Sequence, residues 1–352
     1  MTNNMKRRKP KLCLSVELED DDTDDLNDKN VWMNMTTYRR EGFSIGSDFL
    51  RIEGVGRSQL SWKEIIFAEG DDIVLGKGVC GTVKKAKLCD SDKEVALKEV
   101  RIDDYENMIL SELRILSKLQ NECLVEWIGA FYHPPNIHIV LEFMNAGSLS
   151  DRLPLFNSEE KSSAFADDDN EDVVASIGYQ ILWGLKHLHS LKILHRDIKP
   201  ANVLLHTNGY VKLSDFGISS SFHHSDNSMH HTVVGTTRYM SPERIRDKAY
   251  GTLSDVWSFG LVLLECATNY HPFAKLNSMV DILITMEEEA LQIPALDDAG
   301  LQELMDFSLQ VDPSKRMPAS ILVESPYFPT HGIECVNDAV QNLHTYHIHN
   351  PR

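Results

Sequence analysis

The sequence predicts an α+β fold with two lobes, a small β-rich lobe with one main helix and a larger helical lobe after it. From Asp72 onward, short apolar runs are separated by glycine-rich or polar turns, a pattern typical of antiparallel strands. After Gly147 the chain becomes helical, because apolar residues recur at steps of three and four at Val174, Ile177, Ile181, Leu185 and Leu188. These observations predict two unlike lobes in one chain.

The boundaries of the folded region follow from where this patterning starts and stops. Residues 1–66 are polar, mixed in charge and weakly periodic, which predicts a largely disordered N-terminal segment, with 43–52 as the stretch expected to pack on the domain. The folded domain is expected to span 70–328. A C-terminal tail follows at 329–352, and the sequence does not indicate its role. The role of an acidic insertion at 158–172 is also left open.

The composition excludes some classes of partner. A formal net charge of −18 over 352 residues argues against nucleic acid or an anionic membrane surface. The six cysteines have neither paired nor metal-ligand spacing, which favours reduced thiols in a cytoplasmic protein, with the nucleus as a second compartment. No apolar stretch approaches the length of a membrane span.

The strongest functional signal is the run His195-Arg196-Asp197-Ile198-Lys199-Pro200-Ala201-Asn202, followed by Asp215-Phe216-Gly217. Asn208-Gly209 between two apolar runs predicts a hairpin that brings Asn202 and Asp215 to the same end. Two carboxylates, an amide and an ammonium group then stand at fixed offsets. Such a loop can position a hydroxyl nucleophile and hold magnesium beside ATP, and the order and spacing resemble the catalytic loop and metal motif of protein kinases.

A glycine-rich run, Leu75-Gly76-Lys77-Gly78-Val79-Cys80-Gly81-Thr82-Val83, joins two predicted strands. Glycines let backbone N–H groups approach phosphate oxygens without a Cβ in the way. The alternatives are an ordinary glycine-rich β-turn and a Rossmann dinucleotide site. A Rossmann site needs a helix that starts inside the loop, whereas here a strand follows, which favours the kinase interpretation.

The resemblance to protein kinases covers 72–328 and implies roles for individual residues. Lys98 would contact the α- and β-phosphates and pair with Glu112, with Glu106 and Glu99 as competing partners. The strand end Leu141-Glu142-Phe143-Met144 is similar to the kinase hinge, so the backbone of Glu142 and Met144 would meet adenine, beside Ala96.

The same resemblance to protein kinases implies a role for each residue of the catalytic loop. Asp197 would accept the substrate hydroxyl proton, Lys199 would neutralise the transferring phosphoryl group, and Asn202 and Asp215 would hold Mg²⁺. Structural roles fall to three further residues: Asp255 would brace the catalytic loop, while Glu243 and Arg316 would form a buried ion pair. The alternative of a pseudokinase scaffold is disfavoured. Such scaffolds usually lack the phosphate-binding lysine, the catalytic aspartate or the metal-binding aspartate, and this chain has all three as Lys98, Asp197 and Asp215.

Three features are similar to the MAP kinase kinases, the dual-specificity enzymes of that cascade. The segment 234–244 resembles the part that follows the activation sites of the family. Ser228 and Thr232 match the spacing of the two activating phosphorylation sites, with Ser225 as a rival for the first. The resemblance implies phosphorylation by an upstream MAP kinase kinase kinase, and a downstream MAP kinase whose activation-loop Thr and Tyr are the substrate.

The third feature is the N-terminal run Lys6-Arg7-Arg8-Lys9-Pro10-Lys11-Leu12-Cys13-Leu14, which looks like the docking peptide of these kinases. Basic side chains would meet an acidic patch, while Leu12 and Leu14 fall on one side of an extended chain. The alternatives are a nuclear localisation signal or a merely basic terminus. A Ser/Thr kinase of another tier, or outside the cascade, remains the second hypothesis for the whole chain.

Overall fold

A computed structural model describes most of the two predicted lobes and part of the N-terminal segment. The described residues are 39–40, 43–45, 50–52, 65–67, 74–78, 81–89, 91–101, 113, 119–133, 136–153, 171–215, 237–276, 278–288, 293–294 and 296–349.

The small lobe is built on a six-stranded antiparallel sheet. Its strands are β4 (Ile65–Phe67), β5 (Val74–Gly78), β6 (Gly81–Leu88), β7 (Glu94–Arg101), β8 (Trp127–His133) and β9 (Asn136–Glu142). They run in the order β4-β6-β7-β9-β8, and β5 pairs with β6. One face of the sheet encloses a small apolar core of Ile65, Ala86, Leu88, Val95, Leu97, Phe131 and Val140. The sheet therefore begins at Ile65, ahead of the start predicted at residue 70.

The large lobe surrounds two long helices, α1 (Glu171–Ser190) and α3 (Thr252–Thr268). All five apolar residues of the predicted face of α1 are buried, as is Trp257 of α3. Shorter helices complete the lobe: α2 (Pro242–Ile245), α4 (Met279–Glu288), α5 (Ala299–Ser308), α6 (Ala319–Leu322) and α7 (Tyr327–Thr330). Among the helices that the structure describes, none is both long and apolar enough to cross a bilayer.

The predicted hairpin forms between β10 (Val203–Leu205) and β11 (Val211–Leu213). Gly209 supplies the positive φ of +92° that the turn requires. The buried amide of Gln180 fixes the hairpin to α1, since it donates to the Gly209 carbonyl at 3.1 Å and accepts from the Val211 N–H at 2.8 Å. Asn202 and Asp215 consequently flank the open end.

The C-terminal segment, whose role the sequence left open, contains a helix that packs on the large lobe. Helix α8 (Val336–His349) packs against α1 and buries Val336, Ala339, Val340 and Leu343. These positions follow the i, i+3, i+4, i+7 spacing of an amphipathic helix, a signal that the sequence prediction did not use. This helix thus adds to the packing of the large lobe after residue 328.

The N-terminal segment contains a small antiparallel sheet, and two of its three strands lie in the stretch 43–52 that was set apart from the predicted disorder. Its strands are β1 (Arg39–Arg40), β2 (Phe43–Ile45) and β3 (Leu50–Ile52), in that order. Only β1 lies in the part of the segment that was predicted to be disordered. Strands of two or three residues are too short to produce a detectable alternation, so sequence patterning could not find them.

Candidate active site

A cleft of about 560 Å³ is lined by residues of both lobes. The sheet contributes the β5–β6 hairpin and β7, while the large lobe contributes the catalytic loop and the residue after β11. Twelve of the predicted site residues line it: Leu75, Gly76, Gly81, Val83, Ala96, Lys98, Glu142, Met144, Asp197, Lys199, Asn202 and Asp215. Residues that are far apart in the sequence are thereby brought to one cavity.

The Asp197 carboxylate is held by two neighbours in its own loop. The Lys199 ammonium lies 2.8 Å from Oδ2, and the Asn202 amide donates to the same oxygen at 2.8 Å. Asn202 also donates to the Asp197 carbonyl at 2.7 Å. Pro200 to Asn202 form a turn of 3₁₀ helix, which places the amide back over Asp197. The carboxylate therefore has a fixed orientation in the cleft.

A second charged pair joins the two lobes. The Lys98 ammonium of β7 is nearly buried and lies 2.7 Å from Oδ1 of Asp215. Burial acts to raise the pKa of Asp215, but the charge and hydrogen bond of Lys98 outweigh it and hold this pKa below its usual range. Asp215 is consequently a carboxylate at neutral pH, and it stands beside Asn202 with oxygen atoms suited to a hard divalent cation.

The catalytic loop is braced from below by Asp255 at the start of α3, as predicted. Its buried carboxylate accepts from the backbone N–H groups of His195 at 2.9 Å and Arg196 at 2.8 Å. Nε2 of His189 lies 2.9 Å from the same group. Burial would raise the pKa of Asp255, but the His189 hydrogen bond and the charges of the nearby histidines lower it overall. Arg196 has a φ of +70°, so this bracing stabilises an unusual backbone conformation.

The predicted buried ion pair also forms. The guanidinium of Arg316 makes two parallel contacts of 2.8 Å with the carboxylate of Glu243, and it lies over the Trp257 ring at 5.1 Å. Burial raises the pKa of Glu243, but hydrogen bonds from Arg316 and Ser254 lower it to about 2. The pair thus remains charged inside the lobe.

Two contacts near the cleft were missed by sequence reasoning. Arg244, next to Glu243, donates to the carbonyl of Arg196 and so connects the ion pair to the catalytic loop. Lys212 contacts both carboxylate oxygens of Glu142, at 2.9 and 2.7 Å, and ties the end of β9 to the β10–β11 hairpin. The two partners are 70 residues apart, and no local pattern announces such a pair.

A third missed feature lies under the segment that follows the predicted activation sites. The hydroxyl of Tyr239 donates to the buried carboxylate of Glu265 at 2.5 Å, and the His271 ring packs edge-on against the Tyr239 ring. Burial raises the pKa of Glu265 to about 7, despite the opposing hydrogen bond of Tyr239 and charge of Arg238. The same burial lowers the pKa of His271 to about 3, so this ring stays neutral.

The other predicted residues lie on strands β5 to β7 or outside the described residues. Lys77 and Gly78 end β5, where they pair with Thr82 and Gly81. Glu99, one alternative partner for Lys98, contacts Lys84 at 2.9 Å. Outside the described residues are Val79, Cys80, Glu106, Glu112, Ser225, Ser228, Thr232 and the docking residues Lys6, Arg7, Arg8, Lys9, Leu12 and Leu14. The Lys98–Glu112 pair therefore stays a prediction.

Comparisons with known proteins agree with this geometry. The protein kinase domain family model matches residues 71–328. Mitogen-activated protein kinase kinase 3 of Arabidopsis thaliana is 35% identical over 271 residues, or 75% of this chain and 50% of that protein. Serine/threonine-protein kinase dst1 of Dictyostelium discoideum is 33% identical over 279 residues, 77% of this chain and 36% of that protein.

A shorter relative is matched over most of its length. Mitogen-activated protein kinase kinase 1c of Physcomitrium patens is 36% identical over 274 residues, which are 74% of this chain and 76% of that protein. The chain spans only half of the Arabidopsis relative and about a third of the Dictyostelium one. The chain belongs to the protein kinase family, within which it is similar to the MAP kinase kinases.

Proposed function

We propose that this chain is a MAP kinase kinase that transfers the γ-phosphoryl group of ATP to Thr and Tyr in the activation loop of a MAP kinase. The observation that carries the proposal is the cleft geometry, in which the Asp197 carboxylate is oriented by Lys199 and Asn202 beside the Lys98–Asp215 pair. The similarity to MAP kinase kinases supports the choice of substrate class.

The chain provides the groups that ATP and a divalent cation require. Protein kinases use both, and we assign the cation as Mg²⁺, which prefers oxygen ligands. Asn202 and Asp215 would hold it, while the nearly buried ammonium of Lys98 would bind phosphate oxygens. The glycine-rich hairpin would cover the phosphates, and the backbone of Glu142 and Met144 would bind the adenine edge.

The chemical roles in the catalytic loop follow from the same geometry. The Asp197 carboxylate would orient the substrate hydroxyl and accept its proton, because its side chain lines the cleft in a fixed orientation. The Lys199 ammonium, 2.8 Å from that carboxylate, would neutralise charge that develops on the transferred group. Asp255 acts on the reaction only by positioning this loop.

We propose that an upstream MAP kinase kinase kinase activates the chain by phosphorylating Ser228 and Thr232. Each phosphate would add about −1.5 to −2 charge and could pair with Arg196, which precedes the catalytic aspartate. The Thr232→Ala variant, incubated with the activator, should then stay at basal activity. Full activation of that variant would contradict the mechanism, and comparing Ser228→Ala with Ser225→Ala identifies the first site.

We also propose that residues 6–14 grip the MAP kinase as an extended docking peptide. Deleting 1–14 should reduce phosphorylation of the MAP kinase and leave a generic substrate unaffected. Leu12→Ala with Leu14→Ala should reproduce the loss, whereas Cys13→Ala should not, because alternate side chains of an extended chain point to opposite sides. Equal losses on both substrates would instead indicate damage to the kinase domain.

Site-resolved mass spectrometry tests the substrate directly. Activated protein and Mg-ATP would be incubated with a panel of catalytically inactive MAP kinases, with the Asp197→Asn variant as the blank. Phosphate on both Thr and Tyr of one activation loop is the expected result. Phosphorylation of generic substrates alone would favour the alternative of a Ser/Thr kinase of another tier or outside the cascade, and one relative of this chain is named a serine/threonine-protein kinase. Absence of transfer to any substrate would favour a scaffold.

A further inference from the structure

Three side chains that can bind a metal ion lie together in the large lobe, among residues that do not line the cleft. Glu171 is in the first turn of α1, Asp298 is the N-cap of α5, and His331 follows α7. One ligand atom from each lies within 4.8 Å of the others. Three separate segments of the chain therefore converge on one point.

His331 is the residue that distinguishes this cluster from an ordinary group of surface acids. Its side chain is only 8% exposed, and its Nδ1 lies 2.8 Å from Oδ1 of Asp172. The ring also packs edge-on against Tyr327 at 4.6 Å between centroids. These contacts fix the orientation of the ring and favour the tautomer that carries its proton on Nδ1. Metal-binding histidines commonly have such a carboxylate behind them.

The opposite nitrogen of the ring is buried and lies on the side of Asp298. Nε2 of His331 makes no hydrogen bond within the described part of the chain. The carboxylate oxygen Oδ2 of Asp298 lies 3.5 Å away. That separation is long for a hydrogen bond, but it is close to the distance of about 3.3 Å between two ligand atoms of a tetrahedral zinc ion with bonds of about 2.0–2.1 Å.

The two carboxylate oxygens of Asp298 make different contacts. Oδ1 caps α5, because it accepts from the N–H of Leu301 at 2.7 Å. Oδ2 is the oxygen that faces His331. The capping bond fixes the carboxylate without using the second oxygen, so this oxygen is oriented toward the cluster.

We propose that Glu171, Asp298 and His331 bind Zn²⁺, with Asp172 orienting the imidazole and water completing the shell. One neutral imidazole and two carboxylates suit zinc, whereas Mg²⁺ favours oxygen and retains its water. The ion would join the starts of α1 and α5 to the turn after α7. It would therefore act as a structural cross-link and not in phosphoryl transfer.

The decisive comparison is between wild-type full-length chain and the Asp298→Asn variant. Asparagine caps a helix as well as aspartate, so the fold is retained while the ligand oxygen is replaced by an amide nitrogen. Glu171→Gln removes a second, exposed ligand, and Glu324→Gln, an exposed acid outside the cluster, is the matched control. The probe is Zn²⁺ alone, titrated by calorimetry with metal content measured after dialysis.

Wild type and Glu324→Gln should bind one more equivalent of Zn²⁺ than Asp298→Asn or Glu171→Gln. The difference is the relevant quantity, because four other histidines occur between residues 223 and 231 and can bind zinc themselves. Zinc should also raise the midpoint of thermal unfolding by several degrees in wild type and not in Asp298→Asn. Co²⁺ should give the strong visible absorption of a tetrahedral site in wild type and Glu324→Gln, and not in Asp298→Asn or Glu171→Gln.

Equal zinc stoichiometry in all four proteins would overturn the proposal. So would a rise in unfolding midpoint that is the same in wild type and Asp298→Asn, because binding would then lie elsewhere. Neither outcome bears on phosphoryl transfer, since none of these residues lines the cleft.

Discussion

The two walls of the cleft are built differently. The large-lobe wall consists of the catalytic loop and the residues that hold it, Asp255, Glu243 and Arg316, all at most 5% exposed. The outer part of the small-lobe wall is the β5–β6 hairpin, where Val74 and Leu75 are each 44% exposed. One wall is fixed by a buried network of charges, whereas the other is held by its strand pairing.

The buried wall and the exposed hairpin suit two different requirements of phosphoryl transfer. Orientation of the carboxylate and ammonium groups must be set before the transition state is reached, and a buried network does so without reorganisation. A cover for the nucleotide must open for exchange, and an exposed hairpin can move at small cost. We therefore expect substitutions in the large-lobe wall to affect stability and turnover, and those in the hairpin to affect nucleotide affinity.

Arg316→Met should have the largest effect on stability. It leaves the buried carboxylate of Glu243 without its partner, and breaking such a pair costs about 3–5 kcal/mol. Urea unfolding measures the loss, with Lys315→Met as the exposed control, for which we expect less than about 0.5 kcal/mol. Equal losses in the two variants would show that the network does not stabilise the wall.

Asp255→Asn should destabilise by about 3 kcal/mol and reduce kcat by about 10²-fold. One of its oxygens becomes an amide nitrogen that faces donors at His195, Arg196 or His189, so the catalytic loop shifts. Unfolding and steady-state kinetics measure the two effects, with the exposed Glu303→Gln as control. Unchanged kcat would contradict a positioning role for Asp255.

Glu265→Gln should change how stability depends on pH, by an amount on the order of 2 kcal/mol between pH 5 and 8. The pKa of Glu265 is raised from 4.5 to about 7 in the folded chain, so the folded state binds the extra proton between these values. Stability is accordingly lost as pH rises toward 7. The variant should flatten this part of the curve in urea unfolding, and an unaltered slope would mean that Glu265 titrates normally.

Gly81→Ala tests the small-lobe wall and should cost about 1–3 kcal/mol of global stability, less than Arg316→Met. Its φ is +146°, and an added Cβ would lie 1.8 Å from the carbonyl oxygen of Glu99. The hairpin must shift, which should raise the KM for ATP roughly tenfold with little change in kcat. Gly76→Ala is the matched variant for stability, because its Cβ would meet nothing within 4 Å.

Local motifs made much of this molecule predictable. The β10–β11 hairpin was predictable because Asn208-Gly209 between apolar runs encodes one turn. The apolar face of α1 was predictable because it repeats over about four turns of one helix, from Val174 to Leu188. The Glu243–Arg316 pair was anticipated only through the resemblance to kinases, since its partners are 73 residues apart.

The features that sequence reasoning missed depend on contacts between distant segments. Packing of α8 on α1 and the Lys212–Glu142 pair arise only after the chain has folded. Strand β4 was missed because three residues show no alternation, although Ile65 pairs with Leu88 and is buried. Periodicity detects long elements, whereas short strands and tertiary ion pairs require the assembled structure.

Hydrogen exchange of the backbone N–H groups of His195 and Arg196 tests most directly whether the catalytic loop is organised before ATP binds. Both donate to the buried carboxylate of Asp255 and not to a group of the nucleotide site, so we predict slow exchange that Mg-ATP leaves nearly unchanged. The N–H groups of 74–78 should exchange faster and slow when nucleotide is added. Fast exchange at His195 and Arg196 that slows only with nucleotide would contradict a preorganised large-lobe wall.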